Sequence, residues 1–118
     1  MYLSNETWKL IDRISSICRK RIRYADRVND TVRLVELNGR WQLVDPPVFV
    51  IHLSKFGYDD WASPIEDAVQ RWAMWRLDRQ KRLRKKARRR FNFLRYLRFS
   101  ISLDDGRITP FTFKYTVK

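Results

Sequence analysis

The segment VRLVELNGRWQLVDPPVFVIHL, Val32 to Leu53, decides the fold, because the clearest strand and turn signals of the chain lie in it. Apolar residues alternate with Arg33 and Glu36 before Asn38-Gly39, apart from the adjacent pair Leu34-Val35. This dipeptide between alternating segments predicts a β-hairpin with a type I′ turn. Pro46-Pro47 then separates RWQLV from VFVIHL. Because proline cannot donate to a sheet ladder, the segment predicts three short strands.

The third of these strands, Val48 to Leu53, is apolar at every position except His52. Such a run is typical of a strand inside a sheet that is covered on at least one face. His52 is interpreted as a strand residue rather than a catalytic one.

The residues before this segment, from Ser4 to about Tyr24, have the periodicity of an amphipathic helix. Ser4 or Asn5 can cap its start, because a short polar side chain there accepts from free backbone N–H groups. The apolar side consists of Trp8, Ile11, Ile14, Cys18 and Ile22, and the opposite side of Lys9, Arg13, Lys20 and Arg23 with Arg19 at its border. The outer face of this helix is therefore predicted to be basic.

A second helix is predicted to begin at Ser63-Pro64-Ile65-Glu66, which combines an N-cap serine, proline at the first helical position and a capping box. We expect it to continue to about Arg90, a length of roughly 40 Å. Its first half carries an apolar stripe that packs on the core, and its second half is mostly solvated. The aromatic loop before it, Ser54 to Ala62, is interpreted as a plug for the core rather than a base-stacking site, because Asp59 and Asp60 would repel phosphate.

From Tyr96 the apolar period changes to two, which predicts a second hairpin around Asp104-Asp105-Gly106. Pro110 lies where the parity of the apolar residues shifts, so we expect an edge strand with a bulge there. The element order is αβββαββ in one domain spanning residues 1–118. This order predicts an α+β fold, with a mostly antiparallel sheet and two helices packed on one side, the second helix long and basic.

The net charge of +13 is concentrated in two places. The stretch Arg79 to Arg98 holds eleven of the 26 Lys and Arg residues and no Asp or Glu, and a second cluster comprises Arg19, Lys20, Arg21 and Arg23. A dense field of one sign attracts polyanions and releases their counterions on contact. We therefore expect a polyanion as the partner, and nucleic acid, DNA or RNA, first among these.

Arginine outnumbers lysine eighteen to eight, and its planar fork suits bidentate phosphate contacts. Phosphate contacts position a protein without reading bases, so weak sequence specificity is expected. The candidate nucleic-acid-binding residues are Arg19, Lys20, Arg23, Arg79, Arg82, Lys85, Lys86, Arg88, Arg89 and Arg90.

An alternative is a protein-binding inhibitor or adaptor that docks its basic helix on an acidic surface of a larger protein. Met74, Trp75 and Leu77 lie on the same helix, at or beyond the border of its apolar stripe, and are the candidate partner-binding residues. An anionic membrane and an ordinary charged surface are less favoured interpretations of the same basic helix.

Catalytic and metal-binding signatures are scarce. Cys18 and His52 are the single cysteine and histidine, so neither an internal disulfide nor a Cys/His zinc site can form within one chain. The acidic residues around Asp59 and Glu66 are explained by loop polarity and by the positive end of the second helix. We expect no cofactor, no metal and no enzyme activity.

A single cysteine and the lack of a signal sequence or of a long apolar run favour an intracellular, cytoplasmic protein. Association with a nucleoid, a ribosome or a nucleus is compatible with this expectation.

Overall fold

The computed structural model describes residues 3–55, 57–83 and 97–112. They form two helices and five strands in the predicted order αβββαββ: α1 (Asn5–Cys18), β1 (Ile22–Val28), β2 (Thr31–Leu37), β3 (Leu43–His52), α2 (Ala62–Leu83), β4 (Leu97–Ser102) and β5 (Ile108–Thr112). The α+β class is therefore confirmed.

The five strands lie in the sheet in sequence order, and three of their four pairings are antiparallel. The exception is the pair β3 and β4, which run parallel with Phe49 opposite Phe99 and Ile101 opposite Ile51. Parallel neighbours need a crossover connection, and α2 lies in the segment that joins these two strands.

Both helices cover one face of the sheet, because their buried residues belong to the same core as the buried strand residues. An aromatic cluster lies at its centre: Trp72 of α2 meets Phe49 at 5.5 Å and Phe99 at 5.6 Å between ring centroids, both edge to face. Edge-to-face packing places the positive edge of one ring against the negative face of the next. The other core residues include Ile11, Ile14, Cys18, Ile22, Val32, Leu34, Ile51, Ile65, Ala68 and Ile101.

The first helix ends earlier than its periodicity predicts, at Cys18 rather than near Tyr24. Arg19 takes a left-handed conformation with φ of 54°, and the N–H groups of Arg19 and Lys20 donate to the carbonyls of Ser16 and Ser15. These bonds form a Schellman motif, which closes a helix. The next residues form β1, so the prediction of a helix there was wrong, whereas the predicted N-cap is confirmed by the Ser4 Oγ, which accepts from the Thr7 N–H at 3.2 Å.

The hairpin between β2 and β3 is confirmed, but the type I′ turn is wrong. Trp41, with φ of 62°, is the left-handed residue of this loop, and Gly39 is not. The Trp41 N–H donates to the Asn38 carbonyl at 3.0 Å, and the Asn38 N–H to the Gln42 carbonyl at 2.9 Å. This is a type I turn followed by a left-handed residue, the usual three-residue hairpin loop.

The two strands predicted on either side of Pro46-Pro47 are one strand, β3. The prolines fit because the pairing with β2 is irregular there: Leu34 pairs with Phe49, whereas Glu36 already pairs with Val44. Extra residues in a bulge do not pair with the neighbouring strand. Pro46 and Pro47, which lack an N–H group, therefore remove no hydrogen bond between β2 and β3.

The start of α2 is capped by Asp60 rather than by Ser63. The Ser63 N–H and Oγ both donate to Asp60 Oδ2, at 3.1 and 2.7 Å. The hydrogen bonds from Ser63 lower the pKa of Asp60 below its ordinary value. The predicted end of this helix near Arg90 lies outside the described residues.

The C-terminal hairpin is confirmed, with the Ser102 N–H donating to the Arg107 carbonyl at 2.9 Å and Gly106 at φ of 69° in the turn. The bulge expected at Pro110 is wrong. Pairing runs without a shift from Ile101 opposite Ile108 to Leu97 opposite Thr112. Ile108 packs on the core while Phe111, three positions later, points to the other face, as alternation requires.

Candidate polyanion-binding surface

Strand direction gathers distant parts of the sequence at one edge of the sheet. β1, β3 and β4 run in one direction and β2 in the other, so the starts of the first three and the end of β2 share an edge. Residues 19–23 and the hairpin loop 38–42 therefore lie side by side there. The Leu37 N–H joins them directly by donating to the Arg21 carbonyl at 2.8 Å.

The second half of α2 reaches the same edge. Asp67 and Arg71, in its first half, lie near Gly106 at the opposite edge of the sheet, and the groove that they line continues along the helix to Asp78. Trp72 covers the middle of the sheet. Farther along, Arg76 lies close enough to Cys18, at the end of α1, to act on its thiol electrostatically. We call residues 19–23 and 38–42, together with the basic residues of 76–83, the basic edge; Asp78 is the single acidic residue of 76–83.

A concavity of about 380 Å³ lies at the end of α1 within the basic edge. Arg19, Lys20, Arg21 and Arg23 line it together with two serines and Asp12. Arg23 is partly neutralised, because its NH1 donates to Asp12 Oδ1 at 2.5 Å. The lining thus contains four basic side chains and one carboxylate, and guanidinium groups of this kind suit a phosphate group.

Beside this concavity, the guanidinium of Arg21 lies over the ring of Trp41, 4.8 Å from its centroid. Trp41 is 69% exposed although it is a large aromatic residue. Arginine over an indole face is a favourable cation–π arrangement. The basic edge thus combines fixed cations with an accessible aromatic ring.

Cys18 lies beneath this surface and is fully buried. Burial raises the pKa of its thiol to about 12, although the charges of Lys20, Arg76 and Arg98 lower it. A protonated, buried thiol is a poor nucleophile and a poor metal ligand. Cys18 is therefore a core residue rather than a reactive one.

The opposite edge carries the acidic turns of the chain. Asp30, Asp59, Asp60, Asp104 and Asp105 lie in the connections after β1, β3 and β4. Three of them accept from backbone N–H groups: Asp60 from Ser63 at 3.1 Å, Asp104 from Lys55 at 2.8 Å and Asp105 from Arg107 at 3.0 Å. Arg27, Lys55 and Arg107 lie among these turns, so the opposite edge is of mixed charge.

The acidic residues near Asp60 serve structural contacts. Asp60 caps α2, and Asp67 accepts from the Tyr58 hydroxyl at 2.6 Å. That hydrogen bond raises the pKa of Tyr58. Over residues 3–55, 57–83 and 97–112, no group of three His, Cys, Asp or Glu side chains is placed to hold a metal ion.

The structure brings together only part of the predicted nucleic-acid site. Arg19, Lys20 and Arg23 line the concavity, and Arg79 is exposed on α2 with its guanidinium 5.2 Å from the Trp75 ring centroid. Arg82 lies in the last described turn of α2. Lys85, Lys86, Arg88, Arg89 and Arg90 lie outside the described residues.

The three candidate partner-binding residues differ in their exposure. Met74 and Leu77 are 62% and 53% exposed on α2. Trp75 instead packs against Phe99 at 5.3 Å between centroids, so its first role is in the core. Met74 borders the groove that Asp67 and Arg71 line, which has a volume of about 530 Å³.

Arg21 and Trp41 were missed as candidate site residues. The periodicity of α1 placed Arg21 on a helix, and the expected type I′ turn placed Trp41 inside a strand. The available sequence signal was the position of Trp41, two residues after Asn38-Gly39.

Among the described residues, no helix combines the length and apolar character that crossing a membrane requires. No protein-family model, curated protein or solved structure matches this chain. Its function is inferred from charge, topology and contacts.

Proposed function

We propose that this protein is a non-catalytic nucleic-acid-binding protein that contacts phosphates through the basic edge. The observation that supports this most is the convergence of two sequence-distant clusters. Residues 19–23 and the second half of α2 lie at one edge, whereas the opposite edge is of mixed charge. An excess of positive charge at one edge orients the protein as it approaches a polyanion.

Arginine side chains at this edge suit phosphate, because each guanidinium can donate two parallel hydrogen bonds. Binding of this kind releases condensed counterions and depends steeply on salt. It carries little sequence information, so the protein should discriminate poorly between oligonucleotides of equal length. A preference above about a thousandfold for one sequence would place it among specific binders instead.

A pair of charge-matched triple variants tests the proposal. The first replaces Arg19, Lys20 and Arg79 of the basic edge with glutamine. The second replaces Lys9, Lys55 and Arg107, which are exposed and lie away from this edge, with glutamine. Both remove three positive charges, so net charge alone affects them equally.

We expect the basic-edge variant to lose at least about tenfold in affinity for a 20-base-pair duplex at 50 mM salt, and the control variant to lose much less. Equal losses in the two variants would mean that net charge, rather than this surface, drives binding. Absence of binding by the unaltered protein would reject the proposal altogether.

The exposure of Met74 and Leu77 supports a second candidate, docking of α2 on an acidic protein surface. Apolar contacts are not screened by salt as charges are. Met74→Ala with Leu77→Ala should weaken such a complex even at high salt, while leaving phosphate binding unchanged. This candidate replaces the first if purification with nuclease recovers one stoichiometric protein and the isolated chain binds no nucleic acid.

A further inference from the structure

Trp41 has three properties that core packing does not explain. Its ring is 69% exposed, its backbone is left-handed with φ of 62°, and a guanidinium lies over its ring. A left-handed conformation is costly for a bulky residue and is usually taken by Gly, Asn or Asp. Unfavourable backbone geometry of this kind tends to cluster at binding sites.

The loop that presents Trp41 is well fixed. The Asn38 Oδ1 accepts from the Arg40 N–H at 2.8 Å and from the Gln42 N–H at 3.0 Å, and the Asn38 carbonyl accepts from the Trp41 N–H. An asparagine that ties its own turn in this way holds the loop in one conformation. The indole is therefore presented in place rather than on a free chain.

Arg21, which directly precedes β1, contacts the ring from the side of the neighbouring strand. Its backbone carbonyl accepts from the Leu37 N–H at the base of the hairpin, and its guanidinium lies 4.8 Å from the indole centroid. Arg21 also lines the concavity of four cations. A nucleotide whose phosphate enters this concavity would have its base within reach of the indole.

We infer that Trp41 and Arg21 form a stacking platform for an unpaired base, and that the preferred ligand of the basic edge is single-stranded nucleic acid. This inference rests on the proposed function. Bases in a duplex are stacked on each other, so none of their faces is accessible to an indole. The bases of a single strand are accessible and can stack on an aromatic side chain. The cations hold the backbone and the indole holds one base.

The test compares a 20-nucleotide oligo(dT) with a 20-base-pair duplex at 100 mM salt, by fluorescence anisotropy of the labelled nucleic acid. Variants are Trp41→Ala, Trp41→Gly and Trp41→Phe, with Val28→Ala as an exposed apolar control at the end of β1, away from the basic edge. Trp41→Gly is included because glycine takes positive φ without strain and therefore keeps the loop folded.

We expect Trp41→Ala and Trp41→Gly each to weaken oligo(dT) binding about tenfold and duplex binding less than twofold, as loss of one stacked base implies. Trp41→Phe should retain most of the affinity, and Val28→Ala all of it. In the unaltered protein, oligo(dT) should also quench tryptophan fluorescence, and Trp41→Phe should reduce that quenching.

Two results would overturn the inference and leave the proposed function intact. One is equal affinity of the alanine variant and the unaltered protein for oligo(dT), and the other is an equal loss for oligo(dT) and duplex. Failure of the unaltered protein to bind either nucleic acid would instead reject the proposed function.

Discussion

The guanidinium of Arg98 lies 3.6 Å from the carboxylate of Glu36, an ion pair that joins β4 to β2 past the intervening strand. Arg98 is only 7% exposed, and its NH1 nitrogen has no hydrogen-bond partner within the described part of the chain. A buried cation is costly unless an anion accompanies it. The stability of this sheet should therefore depend on Glu36.

Glu36→Gln should lower the free energy of unfolding by about 2 to 3 kcal/mol, because it leaves the Arg98 charge buried and unpaired. Arg98→Met added to Glu36→Gln should recover part of that loss. Asp12→Asn is the control, since it breaks an exposed ion pair with Arg23 and should cost under about 1 kcal/mol. Urea denaturation measures all four proteins, and a Glu36→Gln loss no larger than the control's would contradict the dependence on Glu36.

Asp60→Ala should lower the free energy of unfolding by about 1 kcal/mol, because the Ser63 N–H and Oγ lose their acceptor at the start of α2. Asp60→Asn keeps an acceptor and should cost less. The pKa of Asp60 is lower in the folded state than its ordinary value. The Asp60 carboxylate therefore stabilises the fold at pH values above its ordinary pKa, and this stabilisation disappears as pH falls through the lowered pKa. Thermal denaturation at pH 6 and pH 2 checks this, and a gap between Asp60→Ala and the unaltered protein that persists at pH 2 would refute it.

Cys18 should make the fold sensitive to alkali. Its folded pKa, about 12, exceeds the ordinary value of 9.0, so the unfolded chain releases the thiol proton first as pH rises. The advantage of the unaltered protein over Cys18→Ala in unfolding free energy should be constant below pH 9 and shrink as pH rises toward 12. An advantage that is unchanged at pH 11 would show that the thiol is not held protonated.

Local signals predicted most of the element order. The Asn38-Gly39 hairpin and the Ser4 cap depend on neighbours within a few residues, so their sequence patterns sufficed. The end of α1 could not be predicted from local signals. Its Schellman motif uses Arg19 in place of the usual glycine, and Ile22 fits both the apolar stripe of a helix and a strand. The parallel pairing of β3 with β4 joins residues far apart in sequence, and no local pattern specifies it.

The candidate site was likewise only partly predictable from the sequence. Its charge is visible in the sequence, because residues 19–23 and 79–98 are rich in Lys and Arg and lack acids. That the first cluster lies beside the second half of α2 follows from strand direction, which the sequence did not provide. The role inferred for Trp41 depends on a turn type that hydrogen bonds of the Asn38 side chain decide, and an Asn-Gly pair alone favours a different turn.

The most direct test of phosphate binding through the basic edge is the salt dependence of duplex affinity, measured by anisotropy from 50 to 300 mM salt. For six to eight phosphate contacts, log K should fall against log salt with a slope of roughly −5 to −7. The basic-edge triple variant should show a shallower slope by about 2 to 3, and the Lys9, Lys55 and Arg107 variant an unchanged one. An affinity that does not vary with salt, or a slope that both variants change equally, would contradict the account.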